Sequence, residues 1–263
     1  MRRLQTTFER LRAARETGLV TYVTAGDPDL ARSRDIVRAL DRAGADVIEI
    51  GVPFSDPIAD GPAIQRASER ALASGGTLET ALDLVADLRP EIRAPFVLFT
   101  YVNPVLSLGL TRFVERAAAA GVDGVLLLDL PIEEAEDARR ALDRHGLDQI
   151  FLVSPTTTDA RLSEAARLGR GFLYAISRVG VTGAQTAIAA TAKPLVDRIR
   201  AVSSLPIALG FGISKPAHVE EVGRFADAAV VGSAIVQTVA AAHAAGADAA
   251  DAVERFVRNL KGR

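Results

Sequence analysis

The chain has 263 residues, 31 Lys or Arg against 33 Asp or Glu, a net charge of −2, and no cysteine. That length supports a full hydrophobic core without covalent or metal staples, and the balanced charge excludes a nucleic-acid partner held by a basic face. The lack of cysteine removes disulfides, thiolate nucleophiles, iron–sulfur clusters and cysteine-ligated zinc.

The amino terminus begins Met1-Arg2-Arg3-Leu4 and continues Phe8-Glu9-Arg10-Leu11-Arg12. No apolar run follows the basic residues, so an extra N-terminal helix before the first strand is expected here rather than a signal peptide. Short apolar runs then recur along the chain at Leu19–Thr24, Val47–Gly51, Phe96–Tyr101, Val125–Leu130, Ile150–Ser154, Phe172–Ile176, Pro206–Gly210 and Ala229–Gly232. Continuous runs rich in Val, Ile, Leu and Phe suit parallel strands buried on both faces. Helical patterns lie between them: Leu30–Arg42 before Gly44, Arg112–Ala120 before Gly121, and Ile132–His145 before Gly146, each with glycine where a left-handed cap belongs. The segments 42–47 (Arg-Ala-Gly-Ala-Asp-Val) and 119–125 (Ala-Ala-Gly-Val-Asp-Gly-Val) repeat one unit of helix end, turn and next strand. Ala228 to Ala247 carries no Asp, Glu, Lys or Arg, but it is mostly alanine broken by Gly232, Ser233, Gln237, Thr238 and His243, too polar for a membrane span. A soluble, cytoplasmic chain is expected.

Eight strands alternating with helices predict a single-domain (β/α)8 TIM barrel over residues 1–263. The alternative, an open doubly wound sheet, lacks the Gly-x-Gly-x-x-Gly turn after its first strand. Two connections are long, Val52 to about Pro62 and Arg178 to about Ile188, and long loops at the carboxyl ends of barrel strands are usual sites of binding.

His145, His218 and His243 lie in helical patterns, so neither a histidine general base nor a metal site is expected. Lys193, Lys215 and Lys261 are absent from strand ends, which disfavours an imine-forming aldolase. Carboxylates remain. Glu49 interrupts the apolar run Val47-Ile48-Glu49-Ile50-Gly51; it is either paired with an arginine or used as an acid or base whose pKa burial raises. Asp56 and Asp60 lie in the proline-stiffened loop Pro53 to Pro62, where Asp60 either serves the site or caps the helix starting at Pro62. Asp129, expected to end the fourth strand, and Tyr174 in the sixth are further candidates. Gly210-Phe211-Gly212-Ile213-Ser214 and Gly232-Ser233-Ala234 follow strands seven and eight, the recurrent phosphate site of such barrels, although tight turns need glycine as well. Gly180-Val181-Thr182-Gly183 in the sixth loop offers another donor.

Several of these stretches, from about Phe8 to Val257 and in the right order, resemble the tryptophan synthase alpha subunit family. They are Tyr22-Val23-Thr24-Ala25-Gly26-Asp27-Pro28, Glu49-Ile50-Gly51-Val52-Pro53-Phe54-Ser55-Asp56-Pro57 with Ala59-Asp60-Gly61-Pro62, Asp129-Leu130-Pro131, Ser177-Arg178-Val179-Gly180-Val181-Thr182-Gly183 and Gly210-Phe211-Gly212-Ile213-Ser214. Leu128 stands where many members carry proline, away from the catalytic positions. The resemblance implies a lyase of tryptophan biosynthesis that splits indole-3-glycerol phosphate into indole and glyceraldehyde 3-phosphate. It implies Glu49 as acid/base, Asp60 at the indole nitrogen, Tyr174 as an active-site tyrosine, and Gly183, Phe211, Gly212, Gly232 and Ser233 at the substrate and its phosphate. Asp56 and Thr182 would communicate with a beta subunit in an alpha2beta2 heterotetramer. Because loop six carries Gly180, Gly183 and many small residues where loop two is stiffened by proline, it is expected to close toward Asp60. Pyridoxal phosphate would reside only in that partner, and this chain would need no cofactor or metal. A stand-alone lyase releasing indole, a catalytically weak activator of the beta subunit and another phosphosugar barrel such as an isomerase are the competing expectations.

Overall fold

Successive side chains of a strand face opposite ways, so a run that is apolar throughout must be covered on both sides. The computed structural model, which describes residues 2–176 and 188–262, covers both sides by closing the sheet on itself. Its strands are β1 (Gly18–Thr24), β2 (Val47–Gly51), β3 (Phe96–Thr100), β4 (Gly124–Leu127), β5 (Asp148–Val153), β6 (Leu173–Ile176), β7 (Ile207–Gly210) and β8 (Ala228–Val231). They pair in parallel and in chain order, and β8 returns to β1 with Gly18 opposite Ala228 and Thr21 opposite Val231. The expected (β/α)8 barrel is the observed architecture; the open sheet is excluded by this closure.

The inward positions include Val20, Val47, Val97, Leu126, Ile150, Phe172 and Ala208. The alternate positions, such as Leu19, Ile48, Phe96, Val125 and Leu209, pack with the apolar faces of the surrounding helices. The N-terminal helix Arg3–Ala14 contributes Leu4, Phe8 and Leu11 to the inner cluster, with the Phe8 ring 5.6 Å from that of Phe172. It plugs the amino end of the barrel, leaving the carboxyl end for ligands.

Boundaries differ from expectation where turn chemistry intervenes. β4 stops at Leu127 rather than Leu130, because Asp129 turns away to accept a hydrogen bond from the Val102 amide at 2.7 Å. The helix expected over Ile132–His145 is a 3-10 turn, Ile132–Glu134, followed by an α-helix over Ala135–Arg144. Gly44 and Gly121 cap their helices in the left-handed region as expected, with φ of 91° and 85°. The charge-free stretch from Ala228 is β8 plus the helix Ser233–Ala244, and no helix among the described residues is long and apolar enough to cross a membrane.

The repeated unit at 42–47 and 119–125 has a physical basis. Asp46 accepts the Leu19 amide of β1 at 3.0 Å and pairs with Arg10 and Lys261. Asp123 accepts the Phe96 amide of β3 at 2.9 Å and pairs with Arg3 and Arg89. Asp227, just before β8, likewise accepts the Ile207 amide of β7 at 2.7 Å and pairs with Arg200. Each carboxylate thus satisfies a strand-end donor that has no ladder partner. Asp123→Ala leaves that amide unsatisfied and removes the carboxylate partner of the partly buried Arg89, which keeps its bonds to the Ile92 and Ala94 carbonyls. It is expected to lower the unfolding free energy in urea by about 2 kcal/mol, while an exposed control such as Asp137→Ala changes it by under about 0.5 kcal/mol.

Candidate active site

The inward residues of β1, β2, β6, β7 and β8 nearest their carboxyl ends surround a cavity of about 330 Å³. Glu49 forms part of its wall together with Tyr22, Phe99 and Tyr174, and the opposite side is Gly210 to Ser214 and Gly232 to Ala234. Glu49, Tyr174, Phe211, Gly212, Gly232 and Ser233 are therefore brought together as the sequence suggested.

Glu49 is wholly buried, and neither carboxyl oxygen has a hydrogen-bond partner among the described residues. No described arginine pairs with it, against the structural alternative. Burial alone raises its pKa to about 8, so the carboxyl is a proton carrier near neutral pH. Burial also pushes the Tyr174 phenol well above its ordinary value, with the nearby Glu49 carboxyl adding to the rise, so the phenol remains an O–H donor.

Asp60 sits half-buried in the loop between β2 and the helix Pro62–Ala73, and it is not among the residues that line the cavity. It does not cap that helix: Gly61 holds the N-cap position with no side-chain bond, and Pro62 has no N–H that needs an acceptor. Instead the Tyr101 hydroxyl donates to Asp60 Oδ2 at 3.1 Å and accepts the Ala59 amide at 3.1 Å. Gln65 donates to the carbonyls of Asp60 and Pro57, and Phe54 lies against the Tyr101 ring at 4.9 Å. This loop is braced from β3. Burial raises the Asp60 pKa to about 6 and the Tyr101 hydrogen bond opposes the rise, leaving Asp60 mostly ionised where Glu49 is mostly protonated. Tyr101 is hidden in the sequence as the last residue of an apolar, strand-like run; a hydroxyl-bearing aromatic at a strand's carboxyl end is the signal that could have found it.

Gly212 has φ of +64°, a left-handed conformation that requires glycine, and nothing lies within 4 Å of where a Cβ would project. Beside it, the helix Ser233–Ala244 begins at Gly232 with no side-chain cap, so its first amides lack a side-chain partner where Gly232, Ser233 and Ala234 line the cavity, the arrangement an anion site uses. Asp56 is exposed in the braced loop, bonded to Ser55 Oγ at 2.6 Å, and does not line the cavity. Asp129 is also exposed outside it, bound to the Val102 amide, which corrects its expected place in the site. Lys215 immediately precedes the helix Pro216–Val222. Arg178, Gly180, Thr182 and Gly183 lie outside the described residues. Among those described, no three His, Asp or Glu side chains group as metal ligands.

The family model described as "Tryptophan synthase alpha chain" matches residues 8–263. A tryptophan synthase alpha chain of Geotalea uraniireducens is 52% identical over 237 residues, spanning 90% of this chain and 89% of that protein. One from Solibacter usitatus is 48% identical over 261 residues, covering 99% of this chain and 97% of its own. The crystal structure of tryptophan synthase subunit alpha from Legionella pneumophila superposes with a TM-score of 0.90 at 37% identity, over 100% of this chain and 98% of that one.

Burial of Glu49 makes stability depend on pH with a definite sign. Its folded pKa of about 8 exceeds the ordinary 4.5, so between those values the native state holds a proton that the unfolded chain has released. Stability is therefore lost as pH rises through that window. Glu49→Gln is neutral throughout and abolishes this loss. Urea unfolding is expected to find the variant close to wild type near pH 5 and more stable by several kcal/mol near pH 9, since each tenfold difference in proton affinity between the two states is worth about 1.4 kcal/mol. An identical difference at both pH values would show that the carboxyl ionises as it does in water.

Proposed function

The chain belongs to the tryptophan synthase alpha chain family, whose reaction is retro-aldol cleavage of indole-3-glycerol phosphate to indole and glyceraldehyde 3-phosphate, and from that premise we propose that Glu49 and Asp60 carry this lyase chemistry at the barrel mouth. The observation that supports it is a wholly buried carboxyl, unpartnered among the described residues, facing the same cavity as an uncapped helix amino terminus.

The chemistry needs one proton delivered and one removed. Protonated Glu49 donates to ring carbon 3 of the indole, giving an indolenine cation with its charge at the ring nitrogen. Ionised Asp60 stabilises that charge. The Glu49 carboxylate then takes the proton from the hydroxyl on the adjacent glycerol carbon. As this C–O becomes the aldehyde, the carbon–carbon bond breaks and its electron pair returns to the ring, neutralising the nitrogen. One carboxyl thus serves as acid and then as base, and the protonated ring is the electron sink that a lysine imine would otherwise supply. The amides at Gly212, Gly232 and Ser233 hold the phosphate, with Gly183 a further donor, and this remote binding energy positions the chain being cleaved. Tyr174 and Phe211 bound the pocket around the substrate. In this reading the whole chain is one catalytic domain working in the cytoplasm without a cofactor of its own. Its partner is a beta subunit in an alpha2beta2 assembly, where pyridoxal phosphate resides and indole is consumed. Asp56 and Thr182 serve communication with that partner.

Two measurements test the assignment. Glu49→Gln is expected to lower kcat by about 10²–10⁴-fold, and retention of more than about a tenth of the wild-type rate contradicts the role. The pH profile of kcat/KM is expected to be bell-shaped, falling below about 6 as Asp60 is protonated and above about 8 as Glu49 loses its proton. A profile that stays flat well below about 6 and well above about 8 would reject the pair. Indole release, followed with and without the beta subunit, separates the lyase from a chain that only activates its partner.

A further inference from the structure

Tyr22 occupies an unusual place in this cavity. It is 5% exposed, on β1, and its neighbours in the barrel are β8, whose end carries Gly232, and β2, which carries Glu49. Its Cβ lies 3.4 Å from where a Cβ on Gly232 would stand, and its hydroxyl 2.0 Å from where a Cβ on Gly51 would stand. The side chain therefore runs along the cavity wall from the phosphate-type loop to the strand of the acid/base, with its ring edge-on to Phe99 at 5.5 Å. A ligand with its phosphate at Gly232 and its reacting carbon at Glu49 must pass over it.

The hydroxyl is poorly used by the fold. Its hydrogen-bond partner among the described residues is Thr24 Oγ1 at 3.4 Å, longer than the usual range of about 2.5–3.0 Å for two hydroxyls. Phenylalanine would keep the ring contacts without burying a polar atom, and burying one without a good partner is costly. Any residue larger than glycine at position 51 would collide with the hydroxyl, so β2 leaves room for it. Burial, aided by the charges of Asp60 and Glu49, keeps this phenol protonated and able to donate.

We propose that the Tyr22 hydroxyl is a substrate-binding group that recognises the hydroxyls of the glycerol chain between the phosphate and the indole ring. The proposal rests on the lyase reading of the cavity and adds a residue and a specificity to it. The side chain spans the wall between the two anchored ends, its oxygen lies beside Gly51 on the strand of Glu49, and it has hydrogen-bonding capacity to give. It would hold the chain so that the hydroxyl that gives up its proton as the carbon–carbon bond breaks meets Glu49, while Phe99 and the tyrosine ring contact apolar surface. No bond forms or breaks at Tyr22.

The test pairs a protein hydroxyl with ligand hydroxyls. Racemic glycerol 1-phosphate and propyl phosphate, which share the phosphate and the three-carbon chain but differ in hydroxyls, are titrated into wild type and Tyr22→Phe by calorimetry. The variant is expected to bind glycerol phosphate roughly three- to tenfold more weakly, the loss of one neutral hydrogen bond, and to bind propyl phosphate as wild type does. Unchanged propyl phosphate binding also shows that the cavity remains folded. Equal weakening of both ligands, or no change in either, overturns the proposal while leaving the phosphate site intact. Failure of wild type to bind either phosphate would overturn the underlying reading of the cavity as well.

Discussion

Closure of the sheet forces every second strand residue into one shared interior, and the chain places a carboxyl there with no described partner. Glu49 stands opposite Tyr22 in the β1–β2 register and opposite Val97 in the β2–β3 register, so its direction is set by the same alternation that packs the barrel. The carboxyl cannot turn outward without moving Ile48 and Ile50 out of the helix-facing core. Ionising it there is opposed by several kcal/mol, at about 1.4 kcal/mol for each tenfold gain in proton affinity over water. The barrel thus holds a proton near neutral pH in the wall of its carboxyl-end cavity.

The two ends of the barrel solve the problem of buried charge in opposite ways. At the amino end Asp46, Asp123, Asp148 and Asp227 all have cationic partners, and three of them also accept a strand amide. A cavity at that end, bounded by Arg10, Asp46 and Lys261, is walled by groups that already satisfy one another. At the carboxyl end Glu49 is unpartnered among the described residues and Tyr22 is weakly bonded. Paired carboxylates stabilise the closed sheet; the unpaired one has capacity left for a ligand. This division matches the general separation in such barrels between a stabilising bottom and a reactive top.

Continuous apolar runs made the strands legible, because parallel strands covered on both faces carry no competing polar alternation. The ends were less legible where one side chain decides between two hydrogen bonds. Leu128-Asp129 could continue a strand, but the Asp129 carboxylate has a nearby amide at Val102 and leaves. Asp60 before Gly61-Pro62 could cap a helix, but the Tyr101 hydroxyl, brought over by β3, competes for it. Such contests depend on which strand lies beside the loop, information that local sequence does not contain. Glu49 was legible because a single charge in an apolar run is locally anomalous. Tyr22 was not, since a tyrosine in a strand is ordinary until its hydroxyl is seen above Gly51.

Tyr22 and Tyr174 share a spatial relation that explains the cavity's shape. Tyr22 leans over Gly51 of the next strand, and Tyr174 leans over Gly210 of the strand after its own, where an added Cβ would meet its ring at 2.7 Å. Each large side chain is thus matched to the absence of one on a neighbouring strand, which is how a barrel interior accommodates rings without widening. The two rings flank the cavity and keep its wall apolar around Glu49, and that same desolvation raises the carboxyl's pKa. The glycines therefore act on the chemistry indirectly. A methyl group at Gly51 would collide with the Tyr22 ring, and any water this admitted beside Glu49 would lower the pKa on which the proposed acid role depends.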